Sequence, residues 1–471
     1  MELAFSSLGQ LAKKLDTGAL SALELTRHYL DRIEKGNAGL HAYVHVDAQG
    51  ALQQARAADA RRASGYSLGP LDGVPIAIKD LCDIAGQATT AGSEAWRGRV
   101  RHETATVVSR LLQAGMVVLG KLHMVEFAFG GWGLNPRMGT PVNPWGLPHA
   151  YIPGGSSSGS GVAVAGGLAP AALGSDTGGS VRIPAALNGI TGLKTTSGLI
   201  SRHGAVPLSD TLDSIGFLAR TAEDAWWLSR LTAGYDAQDP ATWHLPPAEP
   251  MAQWHAGKPL QGVHLALMDL EQFPTPASPA VVQAYGQART VLQALGASVE
   301  TYRLPFDFHE LMLANGTIIA AESYAYHASY IEDPALPFGD GVRGRIRNGK
   351  TVDSASYIGA LKYHREASRQ WREWIVGHAD ALLMPTLPCA ACRVDEVDEN
   401  SLALASFTRA ANFINATALS LPAGFSEDGL PVGVQLLGAP LAEPRLTAIG
   451  AAFQQETDWH LKTPDLHAVG L

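Results

Sequence analysis

Between Arg137 and Asp176 the chain runs for 38 residues, Met138 to Ser175, without one Asp, Glu, Lys or Arg. So uncharged a stretch must be buried, either in a membrane or inside a globular fold. A membrane span needs about 20 consecutive apolar residues. Here prolines and the cluster "GGSSSGS" interrupt any uniform apolar helix, so the segment is expected to be a small-residue interior. Glycine there leaves room for close approach of backbone or ligand. The run leads directly into "GSDTGGSVRIPA", residues 174–185, where an acid, a threonine and two glycines precede Ser180 and an arginine follows it.

The remaining composition agrees with burial. Of 471 residues, 46% are apolar and 17% charged, which supports a large core. Length alone predicts roughly two to four domains, with a single large α/β domain as the alternative. The formal charge is −9 with Lys and Arg scattered, so nucleic acid is not an expected partner. Three cysteines, Cys82, Cys389 and Cys392, are too few for a disulfide framework, and "MELAFSSLGQLAKKLDTG" does not read as a secretory leader. A reducing, cytoplasmic setting without membrane attachment is the expectation.

Helical and strand periods alternate along the chain. Ser21 and Glu24 make a capping box ahead of a helix with Leu25, Tyr29 and Ile33 on one face, and Gly36 is placed to end it. "GVPIAIKD", residues 73–80, reads as a buried strand delivering Lys79 at its end. Residues 104–119 read as helix, turn at Gly115 and strand; 279–303 repeat that order, and "ADALLMPTLP" adds another apolar strand. The predicted class is α/β. Residues about 240–260 read as a linker or surface excursion, and 304–376 as mostly helical, with "VRGRIRNGK" a solvated basic face.

Three arrangements compete for the chemistry. "GSSSG", residues 155–159, satisfies the G-x-S-x-G elbow with Ser157 as nucleophile, but that elbow needs a strand just before it, and "NPWGLPHAYIPG" is broken by prolines. A phosphate cradle lacks its G-K-[ST] ending. The third joins Lys79, the serine cluster and Ser180, with successive N–H groups of Thr177, Gly178, Gly179 and Ser180 able to converge on a developing oxyanion. His123 and His203 lie near these segments, but no Asp is placed to complete a triad with them, and they read as structural. "CAAC", residues 389–392, has neither a redox setting nor a second pair of zinc ligands, so no metal and no cofactor is implied.

"GGSSSGSGVAVAGGLAPAALGSDTGGSVRIPAALNGITGLK" resembles the signature of the amidase signature family of serine hydrolases. The likeness continues through "LDGVPIAIKDL", "AGMVVLGKLHMVEFA" and "LSLPAGFSEDGLPVGVQLLG", and is weakest from 240 to 400. It implies one domain over 1–471, with core motifs at 71–225 and 380–440, a variable substrate cap at about 240–400, and a mixed central sheet flanked by helices. It implies a Ser–cis-Ser–Lys triad, with Ser180 as nucleophile, Ser156 as the bridging serine after a cis peptide from Gly155, and Lys79 as base. Thr177, Gly178 and Gly179 then form the oxyanion hole, while Ser157, Asp176 and Arg182 support it by hydrogen bonds. Such a lysine must be neutral at working pH, which requires burial and no firmly paired carboxylate; Asp80 is expected to point the other way, as strand neighbours do.

The implied activity is hydrolysis of a carbon–nitrogen bond in a small hydrophobic or aryl amide, with esters or carbamates (urethanes) open to the same acyl-enzyme route. Phe127, Phe129 and Trp132 are the candidate acyl pocket. The rival is the amidase-like subunit of a tRNA-dependent amidotransferase, which passes ammonia from glutamine to a partner. Ile183 stands where that subunit usually has glutamine, and favours the stand-alone hydrolase. Ser158 and Thr195 also depart from the pattern, outside the triad; oligomeric state is not legible. A serine-directed sulfonyl fluoride is expected to label Ser180 and to go on labelling Ser157→Ala; peptide mapping that finds the label on Ser157 restores the elbow.

Overall fold

The computed structural model describes residues 3–243, 259–399, 401 and 403–471, so the linker expected at about 240–260 lies largely outside the described residues. The charge-free run does fold as interior. Every residue of the helix Ser158–Ala165 and of the strand Ala171–Asp176 is buried. Close approach explains the small side chains: a Cβ at Gly159 would stand 2.4 Å from the Ala42 carbonyl oxygen and 2.6 Å from that of His123. Among the described residues no helix is long and apolar enough to cross a membrane.

Among the described residues, eleven strands form one mixed sheet. In chain order they are β1 (Tyr43–Val46), β2 (Pro75–Lys79), β3 (Val117–Leu122), β4 (Ala171–Asp176), β5 (Thr191–Lys194) and β6 (Ser214–Ala219), then β7 (His264–Met268), β8 (Ser298–Tyr302), β9 (Ala381–Pro385), β10 (Thr417–Phe425) and β11 (Pro431–Gly438). Their order across the sheet is β1-β3-β2-β4-β6-β5-β10-β11-β9-β7-β8. β2 runs parallel to β3 and β4, and β7 parallel to β8 and β9. The other pairs are antiparallel. One continuous sheet replaces the several domains that length alone suggested.

Local signals mostly placed the elements. The capping box at Ser21 starts the helix Ala22–Leu40, and Thr106–Gln113 and Pro279–Ala294 are the helices that precede β3 and β8. Three helices, Phe308–His327, Asp340–Asn348 and Ser354–His378, carry most of the segment 304–376. Gly36 does not end its helix, which runs on to Leu40 and is capped by His41 in the left-handed region. It is small for another reason: a Cβ there would come 2.5 Å from Leu471 Cδ1.

The topology positions the chemistry. β2 and β4 are parallel neighbours, and they end at Lys79 and Asp176 at the same edge of the sheet. Side chains and turns leaving the carboxyl ends of adjacent parallel strands converge there. Packing is close where β6 lies between β4 and β5: a Cβ at Gly216 would meet the Leu193 carbonyl oxygen at 2.3 Å. Because that obstacle is backbone, Gly216→Ala is expected to lower stability by about 1–3 kcal/mol, read as a shift of the urea midpoint. Gly36→Ala, which meets the far end of the Leu471 side chain rather than backbone, should shift it less.

Candidate active site

Lys79 enters the interior at the end of β2 and is fully buried. Its Nζ donates to Ser156 Oγ at 2.8 Å and to Ser175 Oγ at 2.9 Å. Burial pushes its pKa down to about 7, against the opposing influence of Cys82, Asp176 and Asp213. Asp80 does point away, pairing with Lys121 at 2.7 Å and accepting from Thr90, so its charge is committed elsewhere. Strand alternation thus separates the two adjacent charges.

The peptide bond from Gly155 to Ser156 is cis. Ser157 follows as a brace: its N–H donates to the Ser180 carbonyl at 3.2 Å, and its Oγ lies 3.3 Å from the Ser175 carbonyl oxygen and 3.4 Å from the Ser175 N. No strand precedes the helix Ser158–Ala165, so the elbow's strand–turn–helix setting is absent from these described residues. Ser156 Oγ is held by Lys79; in this structure no hydrogen bond joins the Ser156 and Ser180 hydroxyls among the described residues.

Asp176 and Arg182 form the frame of the turn that carries Ser180. Asp176 Oδ1 accepts from Gly179 N at 2.7 Å and from Arg182 Nη2 at 2.9 Å; Oδ2 accepts from Val181 N and Arg182 Nε, both at 3.1 Å. Burial would raise the carboxyl's pKa, but the Arg182 charge and these donors hold it well below the usual range. Arg182 also reaches Gln435 Oε1 at 3.1 Å and Asn412 Oδ1 at 2.7 Å. Asn412 returns a donor to the Asp176 carbonyl at 2.9 Å.

The same carboxylate alters the expected oxyanion hole. The Gly179 N–H already belongs to Asp176, which leaves the N–H groups of Thr177, Gly178 and Ser180 without a protein acceptor among the described residues. Donors left open at a buried turn are what a developing oxyanion requires.

A pocket opens over Ser180, walled by Val125, Phe129, Trp132, Ile183 and Leu404. Phe127 is not part of it. Its backbone is in the left-handed region at φ 48°, which turns the ring inward against Trp96, His327 and Phe338. Three charged residues that sequence reasoning missed, Arg345, Glu399 and Arg409, also line the pocket. Arg345 comes from the basic stretch read as a solvated face; that reading fits Arg347 and Lys350, which pair with Glu332, but not Arg345.

Neither His123 nor His203 lines the pocket over Ser180. His123 is buried, which lowers its pKa to about 4, and His203 faces Glu103 at 3.9 Å. Cys389 and Cys392 are free thiols, and among the described residues no group of His, Cys, Asp and Glu could hold a metal ion.

Comparison with known proteins follows the same pattern. The amidase family model matches residues 24–447. The A subunit of glutamyl-tRNA(Gln) amidotransferase from Ralstonia nicotianae is 39% identical, across 98% of this chain and 99% of that one. Native peptide amidase from Stenotrophomonas maltophilia superposes with a TM-score of 0.81 at 30% identity, covering 96% of this chain and 97% of that one. A structure described as a vestigial protein complex revealing the origins of an s-triazine catabolic enzyme superposes at 0.87, also at 30% identity, covering 96% and 98%.

Removing one member of a buried, hydrogen-bonded ion pair leaves the other charge uncompensated. Asp176→Ala is therefore expected to cost about 3–5 kcal/mol of stability in urea titrations. Asp176→Ala/Arg182→Ala should cost less than the sum of the two single changes.

Proposed function

The chain belongs to the amidase family, a hydrolase acting on carbon–nitrogen bonds, and from that premise we propose that it releases ammonia from the terminal carboxamide of a glutamine-type substrate, as the amidase subunit of a tRNA-dependent amidotransferase. The observation that carries this reading is the full-length likeness to the A subunit of glutamyl-tRNA(Gln) amidotransferase. The charged residues in the pocket, Arg345, Glu399 and Arg409, support a small polar amide over the hydrophobic or aryl one expected from sequence.

In this proposal Ser180 attacks the amide carbonyl. Ser156 takes its proton and neutral Lys79 takes that of Ser156, while the N–H groups of Thr177, Gly178 and Ser180 hold the oxyanion. The relay then returns a proton to the leaving nitrogen. An acyl–Ser180 ester forms, the carbon–nitrogen bond breaks and ammonia departs. Water attacks the ester by the same relay and frees the acid. The 2.8 Å bond from Lys79 to Ser156, and the burial that favours a neutral lysine, support these assignments.

A second reading, a stand-alone amidase, draws on Ile183, which lines the pocket beside Phe129 and Trp132 and supplies an apolar wall. The two readings differ in what the isolated chain does. For the subunit, glutamine hydrolysis should rise when partner subunits and glutamyl-tRNA are added; an isolated chain that cleaves aryl amides or carbamates faster than glutamine establishes the second reading.

Lys79→Ala is expected to slow hydrolysis by on the order of 10³–10⁴-fold. Because the base works only after losing its proton, kcat/KM should climb as pH rises through about 7, where burial places Lys79, and level off above it. Coupling within the relay makes the observed midpoint a property of the three groups together. A rate in Lys79→Ala equal to the wild type removes the proposed base.

A further inference from the structure

Arg409 is a charged pocket residue to which the relay gives no task. It begins the short helix Arg409–Phe413 and lines the cavity that contains Ser180. Its side chain lies along the nucleophile turn: a Cβ at Gly178 would come 3.0 Å from Arg409 Cγ and 3.6 Å from its Nε, and one at Gly316 would come 3.1 Å from Nη1. Two glycines therefore leave the channel the side chain occupies. Asn315 fastens the same place, its Nδ2 lying 3.3 Å from the Thr177 carbonyl oxygen and 3.5 Å from that of Arg409.

What Arg409 lacks is a counter-charge. Arg345, the other arginine of the pocket, donates from Nε to the Phe129 carbonyl at 2.9 Å and from Nη1 to Glu399 at 3.1 Å. Among the described residues, Arg409 has no carboxylate within ion-pair distance, and the charge acting on it is the repulsive one of Arg345. Burial and that repulsion lower its pKa to about 10, which leaves it a cation at neutral pH. A half-buried guanidinium without an anion has lost part of its hydration with no electrostatic return, and a ligand that brings a carboxylate restores the balance. The planar fork suits a carboxylate in two-point contact.

We propose that Arg409 binds a carboxylate carried on the acyl portion of the substrate, so that the enzyme acts on ω-amides of small dicarboxylic or aminodicarboxylic acids. This rests on the reading that Ser180 attacks an amide seated in this pocket. Arg409 takes no proton and touches no reacting atom; it selects the substrate by its charge and places the carboxamide over Ser180.

The test pairs charged and neutral amides of equal length: succinamate against butyramide, and glutaramate against valeramide. The wild type should prefer the half-amides. Arg409→Gln should cut the half-amide to neutral-amide ratio of kcat/KM by about 100-fold, mainly through KM. Arg409→Lys should keep part of the preference, and Arg409→Glu should turn it toward the cationic 4-aminobutyramide. Calorimetry on Ser180→Ala decides the question without turnover: succinamate or glutaramate should bind, and should bind about 100-fold more weakly in Ser180→Ala/Arg409→Gln. Absence of turnover with every amide, with partner subunits and glutamyl-tRNA present as well as without them, overturns the functional reading alone. Equal half-amide affinity with and without Arg409, no binding to Ser180→Ala, or an unchanged substrate ratio in Arg409→Gln overturns the carboxylate assignment.

Discussion

The turn that carries Ser180 stands on the buried pair of Asp176 and Arg182. Within six residues the chain must leave β4, present successive N–H groups outward and start a helix at Arg182. Such a turn has no ladder of its own to stabilise it. Asp176 supplies the substitute, binding two backbone N–H groups of the turn and the guanidinium beyond it. The cost of burying both charges is offset because their hydrogen-bonding groups are matched to each other, to the turn backbone, and to Asn412 and Gln435. This gives rigidity where electrostatic stabilisation of an oxyanion needs donors fixed in advance.

The same principle sets the state of Lys79. A lysine is lowered most when burial is complete and no carboxylate is bonded to it. Lys79 meets both conditions, because its hydrogen-bond partners are hydroxyls and its sequence neighbour Asp80 is taken by Lys121. Two buried lysines one strand apart thus differ in their partners: Lys121 pairs with a carboxylate, whereas the hydrogen bonds of Lys79 go only to hydroxyls.

How far the sequence revealed this depended on how local each cause was. Lys79, Ser156 and Ser180 could be picked out as candidates because a strand end, a serine–glycine turn and a glycine-rich loop each leave a contiguous trace. The mixed sheet was legible as a class, but its strand order was not, since β5 pairs with β10 from far along the chain. Phe127 was misplaced because its left-handed backbone reverses the direction that an extended run would give it. Gly36 was mistaken for a helix end because nothing nearby announces that Leu471 packs against it. Asn412 and Gln435 lie 230 and 253 residues from Arg182, and Arg409 reaches the turn from the same distant part of the chain. Only folding discloses such pairings.

The strand order also divides the sheet by chain position. β1 to β6, all from the first 219 residues, fill one side, and β7 to β11, all from residue 264 onward, fill the other; β5 and β10 are the single seam. Lys79, Ser156 and Ser180 all lie on the earlier side, while Asn412 and Gln435, which brace Arg182, and Arg409 beside Gly178 lie on the later one. A growing polypeptide therefore carries Lys79, Ser156, Ser180 and the Asp176–Arg182 pair well before it carries Asn412 and Gln435. A half-finished molecule holds the Arg182 guanidinium without the two side-chain oxygens that complete its hydrogen bonds.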